Sequence, residues 1–318
     1  MIKKIATDYK CKICNNVKDN ELVTFTERHF GFGDKFEYVV CSNCKCIQIK
    51  TVPENIDKYY PKDYYSFAEP LFPTKLNPLT SFLKKSLINH YLGNFDLPGY
   101  FLSLFFEHPF PWFRKKEVTF NSRILDVGTG TGRKLLSLRR SGFKQLTGID
   151  PYISKDINYN NLMVYKKNLS EIKGTYDCIT LHHSFEHMPD PEAVLGALEK
   201  LLDPNGVIII RIPVADCYAW YKYGEYWVQL DAPRHFFIHT QKSIEILLQK
   251  TNMYLDEIVY DSNAHQFIMS EKYLRGQTLF MQDNHFTKKE IQLFERHAIE
   301  LNKEKKGDSA CFYIRKKK

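Results

Sequence analysis

No apolar run in the sequence approaches the length of about 20 residues that is needed to span a bilayer. The sequence also contains no internal repeat. Its start, Met1-Ile2-Lys3-Lys4-Ile5, also lacks the apolar stretch of a secretory signal peptide. These absences predict a cytoplasmic protein, in which cysteines are more often free or metal-bound than disulfide-bonded. Glycine is scarce too, with 15 among 318 residues, so a short segment in which three glycines alternate stands out.

The composition is that of a globular protein, with 43% hydrophobic and 26% charged residues. A chain of 318 residues can bury a full core, which predicts one main domain with appendages. The formal net charge of +8 suits anionic partners such as nucleotide sugars, phospholipid headgroups or RNA. Part of this excess is the C-terminal run Lys316-Lys317-Lys318, so the charge favours none of these partners over the others.

Two cysteine pairs near the N-terminus have the spacing of zinc knuckles. Cys11 and Cys14 form the first pair, Cys41 and Cys44 the second, and residues 21–40 between them alternate like a β-hairpin. Four thiolates satisfy a tetrahedral zinc ion, and a shell closed by four protein ligands is typical of a structural site. The alternatives are two unrelated pairs or a redox dithiol, although a thioredoxin-like dithiol would need a strand-to-helix junction that is absent here.

The segment after the cysteines is rich in aromatic residues. Residues 51–66 resemble a proline-punctuated linker that packs on another part of the protein. Residues 79–91 predict an amphipathic helix with Phe82, Leu83, Leu87 and Tyr91 near one face. Tyr100 to Phe113 is the most apolar and aromatic stretch of the chain. It predicts either a cap over a ligand pocket or a surface for peripheral membrane contact, and the low positive charge beside its aromatics favours the cap.

A glycine turn follows the next predicted strand. Ile124 to Val127 form a short apolar strand, the sequence then reads Gly128-Thr129-Gly130-Thr131-Gly132, and residues 133–140 are helical in pattern. Glycines allow a sharp turn with no Cβ between the backbone and a ligand, and the amide groups at the helix N-terminus face the same ligand. A strand, a glycine turn and a helix predict the nucleotide-binding corner of a doubly wound α/β sheet.

Two acidic residues indicate which nucleotide is bound. A dinucleotide-binding turn reads G-x-G-x-x-G, whereas this turn reads D-x-G-x-G-x-G and begins at Asp126. A carboxylate at that position repels phosphate and suits a cationic, amino-acid-like ligand. The next strand, residues 145–149, ends in Asp150, where an acid binds both hydroxyls of a ribose. The alternative is a glycine-rich hairpin of another α/β fold.

These motifs resemble those of the class I S-adenosylmethionine-dependent methyltransferases. The resemblance implies an α/β, Rossmann-like, seven-stranded sheet behind a small N-terminal zinc-binding module. It implies that the glycine turn (Gly128, Thr129, Gly130, Gly132) packs against the methionine moiety of the cofactor, with Asp126 near its ammonium group and Asp150 on its ribose. It also implies that Asn168 meets the adenine and that His182 or His183 lines the sulfonium side.

The group that removes a proton from the methyl acceptor is expected at the carboxyl end of the sheet, where such folds place substrate. His235 lies on a loop there, and the neighbouring Arg234 could hold a phosphate or carboxylate bidentately. His187 and Glu186 compete with His235 for the catalytic role. The alternative for this pair is structural, because a Glu-His pair before a helix often satisfies backbone donors.

The order of the parts resembles bacterial methyltransferases of sugar and surface-polysaccharide pathways. The matching features are the cysteine pairs, the tyrosine-rich segment 59–65, and the residues 231–235 after the core (Asp-Ala-Pro-Arg-His). Sugar C-methyltransferases share the four-cysteine module and a histidine base but have a longer C-terminal domain, so O-methylation is supported at least as well. The resemblance implies a sugar, nucleotide sugar or polysaccharide intermediate as the acceptor.

Two other functions remain open. An RNA methyltransferase would carry lysine and arginine interleaved with aromatics around Cys11 to Cys44, and that segment is not notably basic, which argues against nucleic acid as a partner. A non-catalytic, zinc-containing binding protein could use the same scaffold, but the intact Asp126, glycines and Asp150 argue against it.

The predicted domains are a zinc-binding module at 1–50, a linker and aromatic cap at 51–116, the S-adenosylmethionine-binding domain at 117–265, and a helical insertion with a final edge strand at 266–318. The core domain is expected to lack a full crossover helix within residues 151–161. Further predicted strands lie at 163–167, 176–181, 207–212, 255–260 and 310–315. Further predicted helices lie at 192–202, 242–251, 266–275 and 288–304.

Overall fold

The structure is a computed structural model that describes residues 5–61, 77–159, 162–279 and 286–318. In chain order the strands are β1 (Ile5–Thr7), β2 (Asn20–Thr26), β3 (Lys35–Val40), β4 (Ile47–Ile49), β5 (Arg123–Val127), β6 (Gln145–Ile149), β7 (Ile157–Asn158), β8 (Met163–Tyr165), β9 (Tyr176–His182), β10 (Leu202–Pro213), β11 (Phe237–Ile238), β12 (Met253–Tyr260) and β13 (Ser309–Lys316). The helices are α1 (Pro78–Tyr91), α2 (Leu97–Ser103), α3 (Arg133–Arg140), α4 (Pro191–Leu201), α5 (Tyr218–Tyr223), α6 (Gln241–Leu248), α7 (His265–Leu274) and α8 (Lys288–Lys303).

The chain forms two compact units, and each draws on segments far apart in the sequence. The first unit comprises Met1–Pro61, Phe185–Leu195 and Arg211–Phe312. The second comprises Lys62–Ser184, Gly196–Ile210 and Tyr313–Lys318. The predicted linker at 51–66 lies partly outside the described residues, which end at residue 61 and resume at residue 77.

The first unit contains a five-stranded sheet with the order β1-β2-β3-β4-β11. β2 and β3 form the antiparallel hairpin that the alternating pattern between the cysteine pairs predicts. The last strand, β11, comes from nearly 190 residues further along the chain and pairs antiparallel with β4, with Phe237 opposite Gln48. No sequence pattern predicted this pairing, because a two-residue strand has no periodicity to recognise.

The second sheet has eight strands in the order β12-β13-β10-β9-β5-β6-β8-β7. β5 lies parallel to both β6 and β9, and β6 lies parallel to β8, so the predicted Rossmann-like arrangement is confirmed. The eighth strand, β7, was not predicted; it adds antiparallel to β8 at the edge of the sheet. Between β6 and β7 the described residues contain no helix, as the short connection predicted.

The centre of this sheet is apolar because parallel strands are covered on both faces. Ile124 and Leu125 of β5 and Ile179 and Leu181 of β9 are fully buried. α3 follows β5 directly, beginning after Gly132, whose left-handed φ of 79° caps the helix. In folds of this kind, side chains at the carboxyl ends of the same strands can contact a ligand.

α1 and α2 pack against each other as a helical pair in the second unit. Gly99 permits the close approach, since a Cβ at this residue would lie 2.1 Å from the carbonyl oxygen of Ser86. The helix predicted at 79–91 is confirmed, but its predicted apolar face is only partly right: Leu87 is buried, whereas Phe82 and Leu83 are exposed. No helix among the described residues is long and apolar enough to cross a membrane.

Candidate functional site

The carboxyl ends of β5, β6 and β9 bring the predicted cofactor residues to one edge of the second unit's sheet. In the parallel register Asp126 lies opposite both Gly148 and Thr180, and Val127 lies opposite Ile149. Each strand then leaves the sheet at this edge. The glycine turn, Asp150 and His182 therefore belong to one site, as open α/β sheets generally arrange their ligand residues.

The three glycines of the turn all have left-handed backbone angles, with φ of 71° at Gly128, 55° at Gly130 and 79° at Gly132. A Cβ at Gly128 would lie 2.4 Å from the Cβ of Ser184, and one at Gly132 would lie 2.6 Å from a methyl group of Val164. The sequence suggested that these residues lack a Cβ to admit a ligand. The structure adds a different reason for two of them, which is close packing within the protein.

Asp126 is buried at the start of the turn, and hydroxyl groups satisfy part of its carboxylate. Thr129 donates to Oδ2 over 2.6 Å and Thr180 donates to Oδ1 over 2.7 Å. Burial raises the pKa of Asp126, while these hydrogen bonds and the charge of Lys134 oppose the rise. A carboxylate held in this environment is stabilised by a nearby cationic group, which is the role the sequence predicted for it.

Asp150 accepts two backbone hydrogen bonds, one at each oxygen. The Gly130 amide donates to Oδ2 over 2.9 Å, and the Tyr152 amide donates to Oδ1 over 2.9 Å. Burial raises the pKa of Asp150, and both backbone donors oppose this effect. Because a carboxylate offers about four acceptor positions, each oxygen can accept a further hydrogen bond from a hydroxyl group. This donor and acceptor pattern fits a ribose diol.

Three aromatic or polar residues near this edge were not singled out from the sequence. Ser184 donates to the Val127 carbonyl over 2.8 Å and fixes the chain that leaves β9. The ring of Trp112 packs edge-on against His182 with centroids 4.7 Å apart. Tyr152 lies two residues after Asp150 and is 72% exposed. An aromatic residue two positions after Asp150 is a signal that the sequence does contain.

The remaining predicted cofactor residues occupy different settings. His182 is buried at the end of β9, and His183 has a left-handed φ of 52°. Asn168 is exposed on the turn after β8, where its backbone amide and its side chain both donate to Glu171. An adenine contact at Asn168 stays a prediction, and it would require the side chain to exchange its bond to Glu171.

Within the first unit, the predicted catalytic residues form a close group that we call the Glu-His-His cluster: Glu186, His187 and His235. One ligand-type atom from each residue lies within 4.8 Å of the others. The His187 and His235 rings meet edge to face with centroids 4.8 Å apart. Burial and the neighbouring His235 lower the pKa of His187 to about 4, so this imidazole is neutral at physiological pH.

Arg234 has a different setting from the one predicted. Its buried guanidinium donates from Nη2 to both carboxylate oxygens of Asp231 over 2.6 Å and lies over the rings of Phe30 and Tyr60. Burial would raise the pKa of Asp231, but Arg234 holds it well below the usual range. The Arg234 guanidinium already pairs with a carboxylate of the protein. Substrate binding by Arg234 stays a prediction.

The four predicted metal-binding cysteines form one cluster in the first unit. Their sulfur atoms lie within 4.8 Å of one another, with 3.7 Å between Cys11 and Cys44 and 3.5 Å between Cys14 and Cys41. Ligands 2.3 Å from a tetrahedral zinc ion would be separated by about 3.8 Å, so the spacing fits that ion. The thiols are not joined as disulfides.

The two knuckles that carry these cysteines have the same backbone geometry. Asn15 follows the first pair with a φ of 60°, and Lys45 follows the second with a φ of 59°. Their amides donate to the carbonyls of Cys11 and Cys41 over 2.9 Å and 3.0 Å. Two turns of one shape in two unrelated peptides indicate a shared ligand, and Gln48 further supports Cys11 by donating to its sulfur over 3.1 Å.

Comparisons with known proteins identify the family of this domain. Residues 88–258, more than half of the chain, match a family model described as a methyltransferase domain. A ubiquinone biosynthesis O-methyltransferase from Colwellia psychrerythraea is 34% identical over 102 residues, which cover 28% of this chain and 41% of that protein. EEF1A lysine methyltransferase 2 from Danio rerio is 29% identical over 121 residues, which cover 31% of this chain and 51% of that protein.

The chain therefore spans about half the length, or less, of these curated relatives. Among solved structures, a SAM dependent methyltransferase from Archaeoglobus fulgidus is 18% identical. That match covers 62% of this chain and 86% of the other, with a TM-score of 0.39.

Proposed function

The chain belongs to the methyltransferase-domain family, and we propose that it uses S-adenosylmethionine to methylate a hydroxyl group of a sugar, nucleotide sugar or polysaccharide intermediate. The observation that carries the cofactor is Asp150, whose two oxygens each accept one backbone amide and each retain capacity for a ribose hydroxyl. The acceptor class rests on the order of modules along the chain. Methylation at carbon is an outcome that the same assay would detect.

The second unit supplies the cofactor residues. S-adenosylmethionine carries a methyl group that is already electrophilic, so the protein has to bind, orient and exclude water. Asp150 holds the ribose, Asp126 balances the positive charge of the amino-acid end, and Tyr152 offers a ring to the base. Trp112, packed on His182, covers the carboxyl end of β9 against water.

The first unit supplies the acceptor residues in this proposal. The Glu-His-His cluster offers two imidazole nitrogens and a carboxylate, which can hold a hydroxyl group or take its proton. His235 donates its Nδ1 proton to the Gln229 carbonyl over 2.7 Å, and this bond leaves Nε2 with a lone pair.

The four-cysteine cluster is proposed to hold structural zinc. All four positions of a tetrahedral ion are filled by protein thiolates, which leaves no position for a substrate. The ion would fix the two knuckles and, through them, the sheet that carries β4 and β11. Small modules of this kind depend on the metal for folding, because their own cores are too small.

A peripheral membrane contact is proposed for the α1–α2 pair, as a route to a lipid-linked acceptor. Phe95 is 95% exposed and Phe105 is 82% exposed, and several neighbouring residues share this exposure. The exposed neighbours are Leu97, Tyr100, Phe101, Leu104 and Phe106. Lys116 donates its amide to the Leu92 carbonyl, and the Lys115 side chain lies next to Gly93. Exposed aromatic rings suit insertion at a membrane interface, and these two lysines add positive charge to the same helical pair.

Vesicle flotation tests this contact. Vesicles containing phosphatidylglycerol should carry the protein, vesicles of phosphatidylcholine alone should carry less, and Phe95→Ser with Phe105→Ser should abolish the difference. Phe32→Ser is a matched control, because Phe32 is an exposed phenylalanine of the other unit. Equal flotation of the double variant and the control would refute the contact.

The methylation test uses labelled S-adenosylmethionine with a panel of nucleotide sugars, lipid-linked sugars and RNA. We expect label in a sugar acceptor and none in RNA. Hot hydriodic acid releases O-methyl groups as methyl iodide and leaves C-methyl groups in place, so it would separate the two products. His235→Ala should abolish transfer while cofactor binding persists, and His90→Ala on α1 serves as the histidine control. Label in RNA alone would replace the proposed acceptor, and absence of cofactor binding would support a scaffold role.

A further inference from the structure

We propose that Glu186, His187 and His235 bind a divalent cation of the first transition series, separate from the ion of the four-cysteine cluster. The inference rests on the proposed function, because it concerns the residues assigned to the methyl acceptor. It does not follow from the methyltransferase fold. Its basis is the geometry of these three side chains within the first unit.

The ligand atoms are already close to coordinating positions. His235 Nε2 lies 3.9 Å from Glu186 Oε1, and all three ligand atoms lie within 4.8 Å of one another. An ion with bonds of about 2.1 Å holds neighbouring ligand atoms about 3.0 to 3.4 Å apart. Side-chain movements of less than about 1 Å would therefore complete the site.

The hydrogen bonds of the two histidines prepare them as ligands. His187 Nδ1 lies 2.7 Å from the Arg234 carbonyl, and His235 Nδ1 lies 2.7 Å from the Gln229 carbonyl. A carbonyl oxygen only accepts, so both Nδ1 atoms carry the proton and both Nε2 atoms carry a lone pair. Metal-binding histidines nearly always have this arrangement, in which the second nitrogen donates to a carbonyl or carboxylate.

Neither Nε2 atom has a hydrogen bond among the described residues, although His235 is only 5% exposed. His235 Nε2 instead faces two carboxylates at distances beyond hydrogen bonding, Glu186 at 3.9 Å and Asp231 at 3.7 Å. The lone pair of the buried His235 Nε2 and the Glu186 carboxylate form an electron-rich space beside the half-buried His187. Such a space is stable when a cation occupies it.

The charges around the cluster also favour a cation. Glu186 is 0% exposed, and Asp231 is the second carboxylate. Arg234 pairs with Asp231, and His29 approaches the same carboxylate with Nδ1 3.5 Å from Oδ1. The Tyr60 hydroxyl faces His187 at 3.3 Å from Nδ1. The Arg234–Asp231 pair cancels, and the Glu186 carboxylate places a negative charge beside the imidazole of His235.

The donor set indicates the kind of ion. Two imidazole nitrogens and one carboxylate oxygen suit Mn²⁺, Fe²⁺, Co²⁺ or Zn²⁺, whereas Mg²⁺ and Ca²⁺ prefer oxygen ligands. Three protein ligands leave positions open for an acceptor hydroxyl. A hydroxyl bound there has a lowered pKa and releases its proton to solvent, while the imidazoles remain bound as ligands.

The test measures metal binding to the full chain, independently of turnover. Mass spectrometry gives the metal content of the purified protein, with one equivalent expected for the cysteine cluster. After brief dialysis against chelator, MnCl2 is titrated in, and the free ion is followed by electron paramagnetic resonance. We expect one Mn²⁺ per chain, and Glu186→Gln, His187→Ala and His235→Ala should each weaken it by at least about a hundredfold.

Control variants distinguish loss of the cation site from loss of folding. His90→Ala should bind Mn²⁺ as the natural chain does, and Cys46→Ser tests whether a thiol near the zinc ligands contributes. Circular dichroism and S-adenosylmethionine affinity confirm that the cluster variants are folded. Absence of Mn²⁺ binding, or binding that the cluster variants leave unchanged, would overturn the cation site. Methylation with a normal rate in metal-free protein would overturn its role while leaving the proposed function intact.

Discussion

Replacing Gly128 with alanine tests the packing of the glycine turn quantitatively. The new Cβ would lie 2.4 Å from the Cβ of Ser184 and 3.0 Å from its hydroxyl oxygen, at a backbone φ of 71°. A left-handed non-glycine residue costs about 1–2 kcal/mol, and overpacking of a filled site costs about 1–3 kcal/mol more. We therefore expect the free energy of unfolding to fall by about 2–5 kcal/mol.

The two contributions can be separated by matched variants. Gly174→Ala places a Cβ at a φ of 111° with no heavy atom within 4 Å, so it carries only the backbone cost. Ser184→Gly removes the side chain that the new Cβ would meet, although it also loses the bond to the Val127 carbonyl. The double variant Gly128→Ala with Ser184→Gly should recover about 1–3 kcal/mol relative to additivity.

Urea unfolding and calorimetry with S-adenosylmethionine provide the two readouts. Since the turn also presents the Gly130 amide to Asp150, a displaced turn should weaken cofactor binding by at least about tenfold, equivalent to about 1.4 kcal/mol. A Gly128→Ala protein that binds the cofactor and unfolds like the natural chain would refute the steric clash. A double variant with Ser184→Gly whose free energy of unfolding is additive would refute it equally, because a clash between residues 128 and 184 requires their effects to be coupled.

Three further predictions concern the acid, the cysteines and a buried histidine. Asp150→Asn should lower S-adenosylmethionine affinity by about 10- to 100-fold, because an amide nitrogen would face a backbone N–H group, while Asp156→Asn on an exposed turn should not. Cys44→Ser should lose one equivalent of zinc and lower the melting temperature, whereas Cys46→Ser should retain the metal, since Cys46 lies outside the cluster. Burial lowers the pKa of His239 to about 3, below the ordinary value of 6.5, although Glu186 opposes the shift. As pH falls below about 6.5, the unfolded chain binds the proton before the folded chain does. This residue therefore lowers the free energy of unfolding by about 1.4 kcal/mol per pH unit. His239→Gln should reduce the pH dependence of that free energy, measured by urea unfolding between neutral pH and about pH 5.

The parts of the fold that sequence reasoning found are those encoded by near neighbours. β6 and α3 begin and end at the predicted residues, β5 and β9 differ by one residue at one end, and α4 differs by one residue at each end. A strand, a turn and a helix are determined by a dozen consecutive residues, and the two carboxylates sit at fixed positions within them. The cysteine cluster was equally accessible, because each knuckle is a local motif and four thiolates leave few alternatives.

Long-range contacts were beyond the sequence. The face of α1 was partly mispredicted because the apolar pattern does not tell which of Leu87 and Phe82 meets another helix. The bond between Arg234 and Asp231 was not predicted from the sequence. The pairing depends on how the chain folds over residues 231–234, and substrate binding by Arg234 stays a prediction.

Because β11 pairs with β4, removing the N-terminal residues would also affect the peptide that carries β11. Tyr38 donates to the His235 carbonyl over 3.0 Å, and Ile49 donates to the Phe236 carbonyl over 2.8 Å. Thr240 reaches back to the Cys44 carbonyl over 2.6 Å. Hydrogen bonds therefore join the peptide that bears His235 to the first fifty residues at several points along its length. A truncated chain begun at the Rossmann-like core would keep the residues proposed to bind the cofactor. It would lose the hydrogen bonds that hold the peptide of His235, the histidine proposed for catalysis.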